Sequence, residues 1–213
     1  MSIPSLKKET LVSAAASLAA HDRHFAQILN EHGPPPLWSR RPGFATLIQI
    51  ILEQQVSLSS AAAIFARLRN GVSPFRPERF LELGPEKIAA CGLTRQKTAY
   101  CLHLSNALVD KQIDLSALKS LPDQEVKAAL LKLKGIGSWS ADVYLLMALR
   151  RPDIWPAGDL ALAIALRDLK KLESTPTHDQ LLHWGERWRP FRSVAARMLW
   201  QFYLANRAAR NRL

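Results

Sequence analysis

Apolar residues in this chain recur with the period of an α-helix almost from end to end, and that period removes most folds at once. In residues 43–71 the positions Phe44, Leu47, Ile48, Ile51 and Leu52 follow the spacing i, i+3, i+4, i+7, i+8. Such a set lines one face of a helix and cannot line one face of a strand. The segment "EQQVSLSS", Glu53 to Ser60, interrupts the pattern and predicts two helices, the second stopped by Gly71. "RPERFLEL" and the Gly84-Pro85 pair after it predict a short helix and a breaker. Two more helices follow, joined at Gly92-Leu93. No run alternates as a strand does, and no repeat of solenoid period is present. The expected class is all-α.

The chain has 213 residues, of which 48% are hydrophobic, enough for a sizeable core. Two stretches, residues 33–36 and 150–158, are rich in proline and are candidate hinges. The expected organisation is a middle helical domain, residues 41–151, and a second helical domain made from residues 1–40 and 152–213. No run of apolar residues is long enough to cross a membrane. The opening "MSIPSLKKETLV" has no apolar secretion signal. The two cysteines, Cys91 and Cys101, cannot build a four-ligand zinc site or an iron–sulfur cluster. A reducing cytoplasm is the expected setting, at the nucleoid if the source is bacterial.

The formal net charge is +11, which suits a polyanionic partner. After Glu186 no acid occurs, while Arg187, Arg189, Arg192, Arg197, Arg207, Arg210 and Arg212 follow. These read as a phosphate-facing surface, an extended tail or a solvated face. His21 and His24 lie three apart with no third metal ligand in view and are read as surface groups.

Within "LKGIGSWSADVYLLMALRRPDIWPAGDLAL", residues 133–162, two glycines interrupt a helical run. Ser120, with Pro122 and Asp123 after it, predicts a helix start. Val126, Ala129, Leu130 and Leu133 give that helix its apolar face. Gly135 is the expected stop, in the left-handed conformation, and Gly137 is expected to take a second unusual backbone angle. Ser138 is the expected cap of the next helix, whose face is Trp139, Val143, Leu146 and Met147. Helix, glycine hairpin, helix results. Its backbone amides would hold a phosphate without reading sequence. The same pattern also suits an ordinary turn between two packed helices.

This segment resembles the helix–hairpin–helix plus Gly/Pro…Asp signature of the DNA glycosylase superfamily. Three further blocks, "FATLIQIILEQQVSLSSAAAIFARL" (44–68), "CGLTRQKTAYCLHLSNAL" (91–108) and "WRPFRSVAARMLW" (188–200), are similar to the alkylbase branch, the AlkA-like 3-methyladenine DNA glycosylases II. The blocks stand in family order and cover most of the chain. The resemblance implies a two-lobed fold with its active site in the interlobe cleft, in a short form without the N-terminal β domain of longer members. Lys134 replaces a common proline ahead of the first glycine and would add a phosphate contact.

What the resemblance implies for the site is specific. Asp159, which by its residue type alone reads as a helix cap, takes the role of catalytic carboxylate. Trp139 and Phe191 fall at aromatic positions of the base pocket. Trp155, Trp188 and Tyr144 are weaker pocket candidates, for which core packing is the plain alternative. Val143 replaces an aromatic of some relatives. Gln54 and Gln55 fall at the minor-groove turn, with Gln55 as the wedge; capping a helix end is the alternative. The phosphate-binding hairpin is Lys134, Gly135, Ile136, Gly137 and Ser138. Trp139 stands where bifunctional relatives carry a Schiff-base lysine, so a monofunctional enzyme is implied.

The expected activity is hydrolysis of the N-glycosidic bond of flipped alkylated purines in duplex DNA, chiefly 3-methyladenine and 7-methylguanine. Hypoxanthine, ethenoadenine and 1-methyladenine are further candidates. A monomer with no required cofactor is expected, with Na+, K+ or a similar cation on the carbonyls near Gly135 and Gly137 as an optional structural ion. The alternatives are a glycosylase/lyase for another lesion, a non-catalytic DNA-binding repair module, or a small-molecule enzyme on the same fold.

Overall fold

A computed structural model describes residues 3–210 and divides them into two units. Among the described residues every regular element is helical. The middle unit is Arg40–Leu149. Its central element is α3 (Phe44–Glu53), whose Leu47, Ile48, Ile50, Ile51 and Leu52 are fully buried. So apolar a helix must be covered on several sides. The chain covers it with α4 (Leu58–Gly71), α7 (Arg95–Val109) and α9 (Ser138–Val143). Phe44, Phe65, Phe75 and Phe80 close one end of this core through ring contacts of 5.5–5.9 Å, most of them edge-on. The short helices α5 (Pro77–Leu83) and α6 (Pro85–Ala90) each begin on a proline and pack on α7. Then come a 3₁₀ turn, Ala117–Ser120, and α8 (Asp123–Leu131), which packs on α9.

The second unit joins Pro4–Ser39 to the residues from Arg150 onward. It holds α1 (Lys8–His21), α2 (Arg23–His32), α10 (Leu160–Lys170), α11 (His178–Glu186) and α12 (Arg192–Arg210). The long α12 is its spine. Val194, Ala195, Met198 and Leu199 are fully buried, and α1, α2 and α10 pack against the helix. Small residues such as Ala195 and Ala163 let helix backbones approach closely.

Several boundaries differ from the sequence reading. Ser120 ends the 3₁₀ turn and caps nothing; Pro122 is the cap position of α8, without a side-chain bond. Gly71 is the last residue of α4 with an ordinary backbone, and the chain leaves the helix at Val72. The helix before the hairpin stops at Leu131, ahead of Gly135. Gly137, not Ser138, is the cap of α9, and its φ of −92° and ψ of −178° are extended and open to any residue. After Val143 the helix continues as one π turn, Tyr144–Ala148, where the Leu149 N–H reaches back to the Tyr144 carbonyl at 3.2 Å.

Candidate active site and DNA-binding elements

The hairpin is a tight main-chain loop held from below. The Leu133 N–H bonds the Leu130 carbonyl and the Ile136 N–H bonds the Leu133 carbonyl, both at 3.0 Å. Ile136 is 4% exposed, so its side chain anchors the loop, while Lys134, Gly137 and Ser138 face outward. Gly135 has φ +92°, and a Cβ built there would lie 2.3 Å from Cγ of Tyr100. Both the angle and the contact demand glycine. At Gly137 a Cβ would meet nothing within 4 Å. The outward amides of Ser138 and the next residues open α9, where a helix presents donors and the positive end of its dipole.

The turn after α3 is tied to that hairpin by one side chain. Gln54 Nε2 donates to the Gly135 carbonyl at 2.8 Å and to Ser140 Oγ at 2.9 Å. Gln55 follows with φ +57°, a left-handed angle rare outside glycine and asparagine, and its side chain is exposed. Val56 and Leu58 beside it are 42% and 59% exposed. The tip therefore combines an amide with apolar groups, a composition suited to entering a groove between bases.

Lys97 has no mark in the sequence, yet it fixes this turn. Its ammonium is buried and donates to the carbonyls of Leu52 (2.6 Å) and Gln54 (2.7 Å), closing the C-terminal end of α3. Burial lowers its pKa, opposed by the Cys101 thiol nearby. Its partners are backbone atoms some forty residues away, which no motif could signal. Lys97→Met should leave two carbonyls without their donor and cost about 1–3 kcal/mol. Thermal melting checks this, at about 2–4 °C per kcal/mol for a chain of this size. An unchanged melting temperature would mean that the ammonium does not close the helix.

In the second unit Asp159 is the cap of α10. Its Oδ1 accepts from the Leu162 N–H at 2.9 Å and from the Trp200 indole N–H at 3.1 Å. The residue is only 8% exposed. The loop before it is fastened to the start of α12. Arg192 donates to both carboxylate oxygens of Asp153, at 2.8 and 3.0 Å, and to its carbonyl at 2.8 Å. The Ser193 hydroxyl accepts from the Ile154 N–H at 2.9 Å and donates to the Ile154 carbonyl at 3.2 Å. Asp153, the other acid of this loop, is thus engaged by Arg192 and by Arg189 (2.9 Å). Asp159 Oδ1 is oriented by one backbone and one indole N–H.

A helix–hairpin–helix followed by an Asp at a helix start is matched by known proteins. The family profile described as "HhH-GPD superfamily base excision DNA repair protein" covers residues 48–190. The chain belongs to this superfamily. It is 27% identical over 213 residues to DNA-3-methyladenine glycosylase 1 of Schizosaccharomyces pombe, covering 94% of this chain and 93% of that protein. The Bacillus subtilis protein YfjP, a putative DNA-3-methyladenine glycosylase, is 27% identical over 182 residues, 82% of this chain, and the chain spans 63% of that relative's length. Among solved structures, a 3-methyladenine DNA glycosylase of S. pombe in complex with abasic DNA superposes with a TM-score of 0.84 at 28% identity. The match covers 89% of this chain and 95% of the other.

Within this HhH-GPD chain the aromatic candidates part company. Trp139 and Phe191 are half-buried, which leaves ring surface accessible. Tyr144 is fully buried; its hydroxyl accepts the Gly43 N–H at 3.1 Å, and burial pushes its pKa up to about 12. Trp155 is spent on core packing. Its indole donates to the Leu181 carbonyl at 2.8 Å, its ring lies edge-on to Trp188 at 5.0 Å, and it covers Gly185, where a Cβ would come within 2.5 Å. Tyr144 and Trp155, as placed here, present no free face to a base.

The arginine-rich segment is not one phosphate-facing surface. Arg189 and Arg192 bind Glu186 and Asp153, and Arg210 reaches Asp168 at 3.2 Å. Arg197 is fully buried, donates to the carbonyls of Leu37 and Ser193, and has its pKa lowered to about 10 by that burial. Arg207 meets the Tyr203 hydroxyl, Arg187 lies over the Trp184 ring at 5.1 Å, and Arg212 falls outside the described residues. The acids come from upstream segments, so a run without acids in sequence is partly neutralised in space. His21 is exposed with its ring on the Ser17 carbonyl, and no group of three potential metal ligands occurs among the described residues. No described helix is long and apolar enough to cross a membrane.

Proposed function

We propose that this chain is a monofunctional DNA glycosylase that hydrolyses the N-glycosidic bond of alkylated purines in duplex DNA, acting as a monomer on the cell's own DNA. The observation that carries the reading is Asp159, a nearly buried carboxylate aimed by two N–H donors at the start of α10. The relatives named as 3-methyladenine glycosylases, one of them solved with abasic DNA, support the substrate class.

The chemistry follows from the bond. Departure of the base leaves positive charge on the deoxyribose, and a fixed carboxylate stabilises it without first having to reorient. The same oxygen pair can direct the attacking water. An N-alkylated purine leaves as a neutral base from a cationic state, so it needs no acid to protonate it. One carboxylate then suffices where ordinary glycosidases use two. The base must leave the stack to be reached, and Phe191, half-buried in the unit that holds Asp159, offers a ring on which an electron-poor base would lie. Trp139 occupies the position at which the resemblance places the lysine of lyases, which removes the amine for an imine intermediate.

The hairpin and the exposed tip at Gln55 divide the DNA work: the first holds a phosphate, the second fills the space of the flipped nucleotide. A cation on the hairpin would rest on the carbonyls of Gly135 and Gly137. Each already accepts one hydrogen bond, from Gln54 and from Ala141, and each keeps a second lone pair. An ion there would add positive charge beside a phosphate and take no part in bond cleavage.

The test is release of free base from methylated duplex DNA, with the DNA run before and after alkali. The expected result is free 3-methyladenine and 7-methylguanine, with strand breaks only after alkali. Breaks without alkali would replace the monofunctional reading by a lyase. Tight DNA binding with no free base would turn the chain into a binding module.

A further inference from the structure

The second unit carries a cluster of cations that the glycosylase reading does not use. A cavity of about 300 Å³ is lined by Arg23, His24 and Gln27 at the start of α2 and by Leu169, Lys170 and Lys171 at the end of α10. The Lys170 ammonium lies 3.6 Å from the Asp22 carboxylate and 4.6 Å over the Trp184 ring, which the Arg187 guanidinium also approaches. Asp22 is the acid that faces this cluster. Arg23, Lys171 and Arg187 are exposed and form no ion pair among the described residues, unlike Arg189, Arg192 and Arg210.

Asp22 caps α2 and pairs with Lys170, and this one carboxylate faces Arg23, Lys170 and Lys171. A cation at the end of α10 is favoured by the helix dipole, but Arg23 and His24 stand in the first turn of α2, where the dipole opposes positive charge. Burial lowers the pKa of Lys170, and the charges of Arg187 and Arg23 add to that effect against the pull of Asp22. Burial likewise lowers His24, helped by Lys170 and Arg23 and opposed by Asp22. Arg23 and His24 of α2 thus share one concavity with Lys170 and Lys171, while Arg187 acts on Lys170 from nearby. Helix α10 has 11 residues, so the cluster lies about 16 Å along its axis from Asp159, too far to touch the nucleotide being cut.

We propose that this concavity is a second phosphate-binding site, remote from Asp159, that takes a phosphodiester of DNA outside the lesion. The proposal rests on the DNA-binding reading above for its source of phosphate, though not for its chemistry. Bound there, the backbone would be held at a second point while the damaged base is processed.

The variant is Arg23→Gln with Lys171→Gln, two exposed side chains that leave Asp22, Lys170 and Trp184 in place. Affinity for an undamaged duplex of about 40 base pairs and for a hairpin duplex of about 6, which reaches about 10 Å either side of its centre, is measured against salt concentration. On the long duplex the slope of log K against log salt should fall by roughly 2, about 0.9 for each phosphate that the variant no longer neutralises. The short duplex should show little change, and base release from a short methylated duplex should stay at the wild-type rate. In parallel, inorganic pyrophosphate is titrated into the wild-type protein while backbone amide NMR shifts are followed. Shifts at residues 23–27 and 169–171, together with the length-dependent fall in affinity, establish the site on DNA. The same shifts without any DNA effect overturn the DNA assignment and give the site to a free phosphate compound. No shifts and no change in slope overturn the site and leave a solvated patch. If wild-type protein neither binds DNA nor releases base, the glycosylase reading is lost and the pyrophosphate titration still decides the site.

Discussion

Asp159→Asn should lower base release roughly 10²–10³-fold while the protein melts as before and binds undamaged DNA with nearly wild-type affinity. The expectation comes from what Asn keeps. Its amide oxygen can accept the Leu162 N–H and the Trp200 indole N–H, as Oδ1 of the carboxylate does. Asn is also as good a helix cap as Asp. The negative charge is lost while these two bonds stay, so a kinetic defect without a folding defect points to the electrostatic role. Asp159→Ala is the contrasting variant. It removes the cap as well, at about 1 kcal/mol, and leaves the buried Trp200 indole without its acceptor, a further cost of about 1–3 kcal/mol. It should therefore melt earlier as well as fail to turn over. Base release near the wild-type rate in the Asn variant would move catalysis to another group and reduce Asp159 to a cap.

The two hairpin glycines should separate folding from binding. Gly135→Ala forces an alanine to φ +92° and drives its Cβ against Cγ, Cβ and Cδ2 of Tyr100 at 2.3–2.6 Å. Those are the inner atoms of that side chain and cannot swing aside cheaply. Strain and overpacking at about 1–3 kcal/mol each should lower the melting temperature and DNA affinity together. Gly137→Ala meets no atom and needs no unusual angle. It should melt as wild type yet bind every DNA sequence more weakly, because the new methyl stands on the outward face of the loop. Melting curves and equilibrium binding to several unrelated duplexes check the pair. Wild-type affinity in Gly137→Ala would mean that this backbone does not touch the phosphate, and a defect confined to particular sequences would contradict binding through phosphate alone.

Much of this is legible in the chain because it depends on local pattern. The apolar period locates α3 and α4, and Asp159 before "LALAIALRDL" is readable as a cap at the residue that the structure gives. The points where the two differ share a cause. Ser120 and Ser138 have the right residue type for caps, but the cap positions fall on Pro122 and Gly137, neither of which makes a side-chain cap bond. The π turn at Tyr144–Ala148 has no compositional mark, since one extra residue in a helix is set by packing around it. The arginines after Glu186 look unpaired in sequence because Asp153 and Asp168, which meet them, lie far upstream. Lys97 is invisible for the same reason in stricter form: main-chain carbonyls have no residue identity to read.

Lys97 and Gln54 have a mechanical consequence. Through the carbonyls of Leu52 and Gln54, and through the Gly135 carbonyl and the Ser140 hydroxyl, they join the tip at Gln55 and the hairpin into a single two-pronged piece. A lever moves its load only if it does not bend at the fulcrum. With one prong gripping the backbone and the other pressed toward the bases, any give between them would be lost as slack. Under the proposed function a stiff joint would pass the grip on as distortion of the duplex, and the force that opens the stack would be set by how well one ammonium and one amide hold their acceptors.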